Sequence, residues 1–188
     1  MKRIASVILT GALILSMGAA AFAATPSKTV ADEIKADVAV ETTGFDRVSI
    51  STEETEATVA QSAEVVKELA SSTEELKKTV DATAEEKIEI TAVQTVTIEQ
   101  TPLFNRTKAT VSLSSAVIDA ACTENEQVTV LVMVPVVGKD GTVTYEKIAV
   151  TSGVVKDGKV QVKLTGALLK KIGKRKVTLV AIKKIAKV

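Results

Sequence analysis

Val128-Thr129-Val130-Leu131-Val132-Met133-Val134-Pro135-Val136-Val137 is the stretch that decides the fold. Side chains alternate between the two faces of a strand, and here both alternations are apolar. A half-buried strand would show polar residues on one of them. This one reads as a central strand buried on both faces, so apolar layers must lie on either side of it. Gly138-Lys139-Asp140-Gly141 then makes a turn, and Val143 with Tyr145 begins the next strand. Ile148 and Val150 fall on the opposite alternation, which predicts a bulge near Glu146-Lys147. Lys156-Asp157-Gly158-Lys159 carries the Asp-Gly pair of a type I′ hairpin, and Val160, Val162 and Leu164 form the returning strand. Thr165 caps a short helix over 166–172, Gly173 ends it, and Val177 to Ile182 is the last strand.

Upstream the pattern continues. Ala109, Val111 and Leu113 alternate as a strand, and Ser114 is placed to cap a short helix running to Cys122. Val111 to Ile118 is similar to Val162 to Leu169: a strand, a hydroxyl cap and an apolar helix. Internal duplication and shared corner chemistry both account for so short a match. Ile88, Ile90, Ala92, Val96 and Ile98 share one alternation opposite Glu89, Thr91, Thr95, Thr97 and Glu99, with Val93 the exception, the pattern of a half-buried strand that Thr101-Pro102 closes.

The period changes before residue 87. Ser51 with Glu54 forms a capping-box signature, and Val59, Ala63, Val66, Leu69 and Ala70 recur at helical steps. A second helix start falls at Ser72 with Glu75, extended by Leu76 and Val80. Residues 24–50 are less decided. Val30, Ile34 and Val38 fit a helix, while Ile34, Ala36, Val38 and Val40 fit a strand, with Gly44 as a break and a short strand between Phe45 and Ile50.

Residues 1–23 read as a secretory signal peptide. Lys2-Arg3 is a positive start, no charge follows as far as Ser27, and Ala21-Phe22-Ala23 supplies small residues before Ala24. The apolar core is shorter than the roughly 20 residues a spanning helix needs, which favours cleavage over anchoring. The expected setting is secreted or extracytoplasmic, with association to a bacterial cell wall. Cys122 is the single cysteine, so no intramolecular disulfide forms, and its apolar neighbours Ala116 to Ala121 mark it as a small buried side chain rather than a dimerisation handle.

Aromatic residues are scarce and the core must be aliphatic. Charge is divided. Residues 25–106 hold 17 acidic and 8 basic side chains; residues 107–188 hold 6 acidic and 14 basic. Such asymmetry acts on long-range attraction rather than on fold.

The segment from Lys108 to Ile185 resembles small β-sandwich-like modules of secreted and surface proteins of Gram-positive bacteria. The residues that carry the resemblance are Val128 to Val132, the turn Gly138-Lys139-Asp140-Gly141, the strand around Tyr145, Val154 to Val160 with its Asp-Gly turn, and Val177 to Ile182. The chain departs from those modules by lacking a tryptophan in the middle strand and by inserting the helix 166–172. The resemblance implies a small sandwich or roll and transfers no functional residue.

Catalytic signatures are sparse. There is no histidine, which removes the usual general base and the commonest metal ligand. No nucleophile elbow, phosphate loop or calcium loop occurs, and nothing in the sequence asks for a metal or a cofactor. Paired carboxylates of a glycan hydrolase are the remaining catalytic option, but most acidic residues fall on helices or turns, where charge is ordinarily solvated. The densest feature is basic. Eleven basic residues lie between Lys156 and Lys187 with Asp157 as the only acid, crowded most tightly at Lys170, Lys171, Lys174, Arg175 and Lys176. Such a cluster attracts polyanions, which outside a cell are teichoic acid, anionic lipid or glycosaminoglycan rather than intracellular nucleic acid. Lysines that protect a Val-rich sheet edge would look similar.

The expectation is therefore an α+β protein: a signal peptide over 1–23, a segment 24–50, an acidic helical region 51–86, and a mainly antiparallel β-sandwich or roll over 87–188 with short connecting helices. Its expected role is a non-catalytic structural or interaction module at the cell surface, partnered by an anionic wall polymer or another surface protein. Polyanion binding through residues 170–176 is the sharper alternative.

Overall fold

A computed structural model describes residues 34–44 and 47–185, together with the backbone of residues 13–15. Nine strands and four helices are present among them. The strands are β1 (Leu13–Leu15), β2 (Asp37–Thr43), β3 (Ser49–Ser51), β4 (Lys87–Gln100), β5 (Lys108–Ser114), β6 (Gln127–Val137), β7 (Val143–Lys156), β8 (Lys159–Thr165) and β9 (Lys176–Ile185). The helices are α1 (Glu56–Ser71), α2 (Thr73–Thr79), α3 (Ala116–Ala121) and α4 (Gly166–Ile172). Leu13–Leu15 contribute the β1 backbone, paired antiparallel with residues 88–90 of β4. The expected cleavage site at Ala21 to Ala23 lies outside the described residues. No described helix is long and apolar enough to cross a membrane.

All pairings between named strands are antiparallel, and they join one continuous sheet in the order β1-β4-β9-β6-β7-β8-β5-β2. The chain just before β2 returns to β4, through a parallel bridge between Lys35 and Val93 and a 3.1 Å bond from Ala36 N to the Val93 carbonyl. The sheet is thereby rolled into a nearly closed barrel. Of the two architectures expected, the roll describes it and two packed sheets do not. The ambiguous segment around residue 38 is a strand, because its alternation meets Val111 and Leu113 of β5 in register.

Strand β6 is buried on both faces from Val128 to Val134, except for half-buried Thr129. Val130 and Val132 face the barrel interior, together with Val111, Val162 and Leu179. Leu131 and Met133 face outward, under Val65, Val66, Leu69 and Leu76 of the helices. Strand β9 does the same, with Leu179 and Ala181 inside and Val180 and Ile182 outside. Full burial of each Val, Leu, Ile or Met among them stabilises the fold by about 1.5–3 kcal/mol.

Strand β4 departs from the single-faced pattern expected of it. Its register shifts between Ile90 and Ala92, so Ile88 and Ile90 pack under the helices while Ala92, Val96 and Ile98 fill the barrel. One inserted residue carries the same alternation from one face to the other. The bulge expected near Glu146-Lys147 is present, with Ile148 as the residue left over between two pairings of β7 with β6.

Helix α1 begins later than its sequence signature. Ser51 pairs with Thr97 inside β3, and Thr55 is the cap, exchanging hydrogen bonds with Thr58. Its buried face is also turned: Thr58, Gln61, Val65, Val66 and Leu69 are covered while Val59 is exposed. Polar Gln61 is buried because Gln61 Nε2 donates to Thr178 Oγ1 at 3.0 Å, and Thr178, Thr95 and Ser62 hydroxyls are linked at 2.8 Å each. A buried polar group is tolerated when it is paired in this way.

Ser115, not Ser114, caps α3, and Thr165 caps α4 as expected. The Asp157-Gly158 turn has the two positive φ angles of a type I′ hairpin. Val111 pairs directly with Val162, so the two similar strand-to-helix corners run in opposite directions. That pairing sends α3 and α4 to opposite ends of the barrel, where Ile118 closes one end of the core and Leu169 and Ile172 close the other.

Inside the barrel, a Cβ added at Gly153 would lie 2.5 Å from Val160 Cγ1 and 3.2 Å from Val130 Cγ2. Both neighbours are β-branched and stiff. Gly153→Ala is expected to lower unfolding stability by about 1–3 kcal/mol in urea titration. An unchanged midpoint would mean that the interior is looser than described.

Candidate functional site

The five basic residues singled out by sequence converge at the α4 end of the barrel. Lys170 and Lys171 occupy the last turn of α4, Lys174 and Arg175 follow its terminating Gly173, and Lys176 opens β9. All are exposed except half-buried Lys176. Antiparallel topology brings the β4–β5 loop, the β2 end at Gly44 and the β6–β7 turn to the same end.

Three of the five also hold the backbone in place. Lys170 Nζ donates to the Leu103 carbonyl at 2.5 Å, and Lys171 Nζ to the Ile148 carbonyl at 2.8 Å. Arg175 reaches back to the Ile172 and Lys171 carbonyls at the C-terminus of α4. Cations are favoured there because the final carbonyls of a helix lack intrahelical partners and carry negative partial charge. Lys174 makes no hydrogen bond or ion pair among the described residues.

These bonds to neutral carbonyls leave the positive charge uncompensated. The ion pairs among the described residues are Lys35 with Glu54 at 2.7 Å and Lys183 with Glu126 at 2.9 Å. Neither involves residues 170–176. Glu99, at the end of β4, is the acid nearest in the strand register, and it accepts from Ser49 Oγ at 2.7 Å. The acidic helices lie along the β4-β9-β6 wall instead, and no described ion pair joins them to the basic end.

The β4–β5 loop lies outside the residues singled out by sequence. Leu103 is 78 % exposed and Phe104 63 %, although both sit between buried Pro102 and buried Thr107. With Arg106 and Lys170 they line an open hollow of about 770 Å³. The signal was present as two adjacent large apolar residues inside a Pro-Asn turn region. The loop is closely supported from below: a Cβ at Gly166 would fall 2.8 Å from the Phe104 carbonyl oxygen and 2.9 Å from Asn105 Cα.

Two other places merit comparison. A groove of about 240 Å³ runs between the helices and β6–β7, with Leu69, Leu76, Leu131 and Tyr145 in its walls and Glu68 and Lys147 at its rim. Burial pushes the Tyr145 phenol up, and Glu64 and Glu68 add to that.

At the α3 end, Glu89 is buried and lies across the β4–β9 ladder from Lys183. Burial raises its carboxyl, with Lys183 opposing. Burial also acts on Glu126, but hydrogen bonds from Thr123 and Lys183 outweigh it and hold that carboxyl low. The two carboxyls are pushed apart, as in acid–base pairs. Neither lines the hollows just described, and Lys183 is the partner of both. No group of three or more metal-binding side chains occurs among the described residues.

A scan against family models matches nothing, and searches of curated proteins and of solved structures return no match either.

Cys122 is half-buried against the barrel core at the same end as Lys183. Burial first, then Glu126, pushes its thiol up to about 11. The thiolate is the reactive form, so its population at pH 8 is small. Native protein should react with an aromatic disulfide reagent at pH 8 about a hundredfold more slowly than urea-unfolded protein. Equal rates would show the thiol to be open and unperturbed.

Proposed function

We propose that this protein is a non-catalytic interaction module that works outside the cytoplasm and binds phosphate-rich polyanionic surfaces through the α4 end of its barrel. The observation that carries the reading is the clustering of Lys170, Lys171, Lys174, Arg175 and Lys176 on one rigid end with no ion pair among the described residues to neutralise them. Arg106 and Lys108 add charge from the adjoining loop and strand. Lysines scattered along a sheet edge serve solubility, but four of these five sit at a helix end and the following loop, and Lys176 opens β9, which is flanked by β4 and β6 and is not an edge strand.

A fixed array of cations raises the local concentration of anions and gains free energy as the polymer releases its counterions. Teichoic acid and anionic lipid headgroups share the phosphodiester that such an array would engage. The leader-like N-terminus and the resemblance to surface modules support the extracytoplasmic setting. The acidic helical layer on a different wall gives the molecule a charge dipole, which would orient it as it approaches a negative surface.

Chromatography on immobilised polyphosphate tests the reading. Retention is expected to fall steeply with added salt. Lys174→Gln should weaken binding about fivefold, since a lysine beside an anionic surface contributes about 1 kcal/mol, and this variant removes no described hydrogen bond. Retention that ignores both salt and Lys174→Gln would overturn the proposal.

A further inference from the structure

The exposed apolar pair beside the basic cluster separates a lipid surface from a soluble polymer. We propose that the α4 end docks on an anionic lipid bilayer, with Leu103 and Phe104 entering the headgroup–acyl boundary while Arg106, Lys170 and Lys174 hold lipid phosphates. This rests on the polyanion reading and names its partner.

Three observations carry the inference. First, Leu103 and Phe104 are 78 % and 63 % exposed at the tip of a loop, beside two cations that line the same hollow. A soluble polyanion offers nothing to cover them, whereas an interfacial site combines apolar burial with attraction to anionic lipid. Second, the tip is rigidly mounted. Lys170 bonds the Leu103 carbonyl, and the backbone at Phe104 and Asn105 rests on α4 at Gly166, where a side chain would clash. The basic helix and the apolar loop are one unit, so both meet a surface together. Third, the β6–β7 hairpin reaches the same end of the barrel and exposes Val137 at 68 % and Val143 at 50 %. These valines flank a polar tip, Gly138 to Thr142, whose Lys139 and Asp140 are exposed, so they add apolar surface at this end without forming a second point of entry.

The charge complementarity selects an anionic bilayer over a neutral one. No acid falls within the 170–176 run, and Glu99 and Asp140, the acids brought to the same end by β4 and the β6–β7 turn, are outnumbered there by its cations.

The test uses the full chain carrying Leu103→Trp, which supplies the only tryptophan. It is titrated with vesicles of equimolar phosphatidylglycerol and phosphatidylcholine, with vesicles of phosphatidylcholine alone, and with polyphosphate. The expected result is a blue-shifted tryptophan emission with the anionic vesicles and none with the other two. In a parallel sedimentation assay, Leu103→Ser/Phe104→Ser should lose about tenfold or more in anionic-vesicle affinity and keep its polyphosphate retention. Unshifted emission on bound anionic vesicles would overturn the lipid inference while leaving the polyanion reading intact. So would equal vesicle binding by the serine variant. Failure of the parent chain to bind either polyphosphate or anionic vesicles would overturn both. Emission shifting with protein concentration in the absence of vesicles would assign the apolar pair to self-association and also overturn the inference.

Discussion

The structure depends on two strands, β6 and β9, that are apolar on both faces. A strand of this kind has no side to give to water, so each face must meet an apolar layer of its own. The inner layer comes from rolling the sheet until Val130, Val132 and Leu179 meet Val111 and Val162 from the far wall. The outer layer comes from α1 and α2, which set Val65, Val66, Leu69 and Leu76 over Leu131, Met133, Val180 and Ile182. The remaining features follow from these two coverings. The helices must lie on the β4-β9-β6 wall, and the chain carries its acidic excess there. The other wall, β8-β5-β2, is left one-sided, with small and polar residues facing out. The barrel ends are closed by α3 and α4, and the loops at the α4 end are free to carry chemistry.

Much of this was legible in the sequence where the determinants are local. The double-sided run at Val128 to Val134, the Asp157-Gly158 hairpin, the Thr165 cap and the Gly173 stop are each set by a few neighbouring residues. What the sequence could not display were partnerships made at a distance. Gln61 looks solvent-facing until Thr178, 117 positions away, is brought to accept its hydrogen bond. The alternation of β4 looks single-faced because the one local mark of the bulge after Ile90 is Val93, apolar on the polar alternation and buried under the helices. Barrel closure depends on β2 meeting β5 and on the bridge from Lys35 to Val93, and neither contact has a short-range signature. The two similar corners at 111–118 and 162–169 were visible, but only their antiparallel pairing shows why they cap opposite ends.

The candidate site follows the same division. The density of cations at 170–176 is a linear property and was read directly. That Lys170, Lys171 and Arg175 serve double duty, tying down carbonyls of the β4–β5 loop, β7 and α4, is a spatial one. The tie between Lys170 and Leu103 makes the basic helix and the apolar loop a single surface. A polymer-binding patch would need only the first. The proposed membrane role needs both, and it needs them held rigidly with respect to each other, which the contact at Gly166 provides.

Helices and barrel form one cooperative structure because β6 and β9 cannot remain folded with either face bare. Tyr145, the chain's only tyrosine and with no native tryptophan to mask it, lines the groove between the helices and the sheet. Urea unfolding followed in parallel by Tyr145 fluorescence and by helical circular dichroism tests the claim directly. Coincident transitions with a single midpoint are expected. Loss of the helical signal at lower urea, with the sheet retaining its native spectrum, would contradict it.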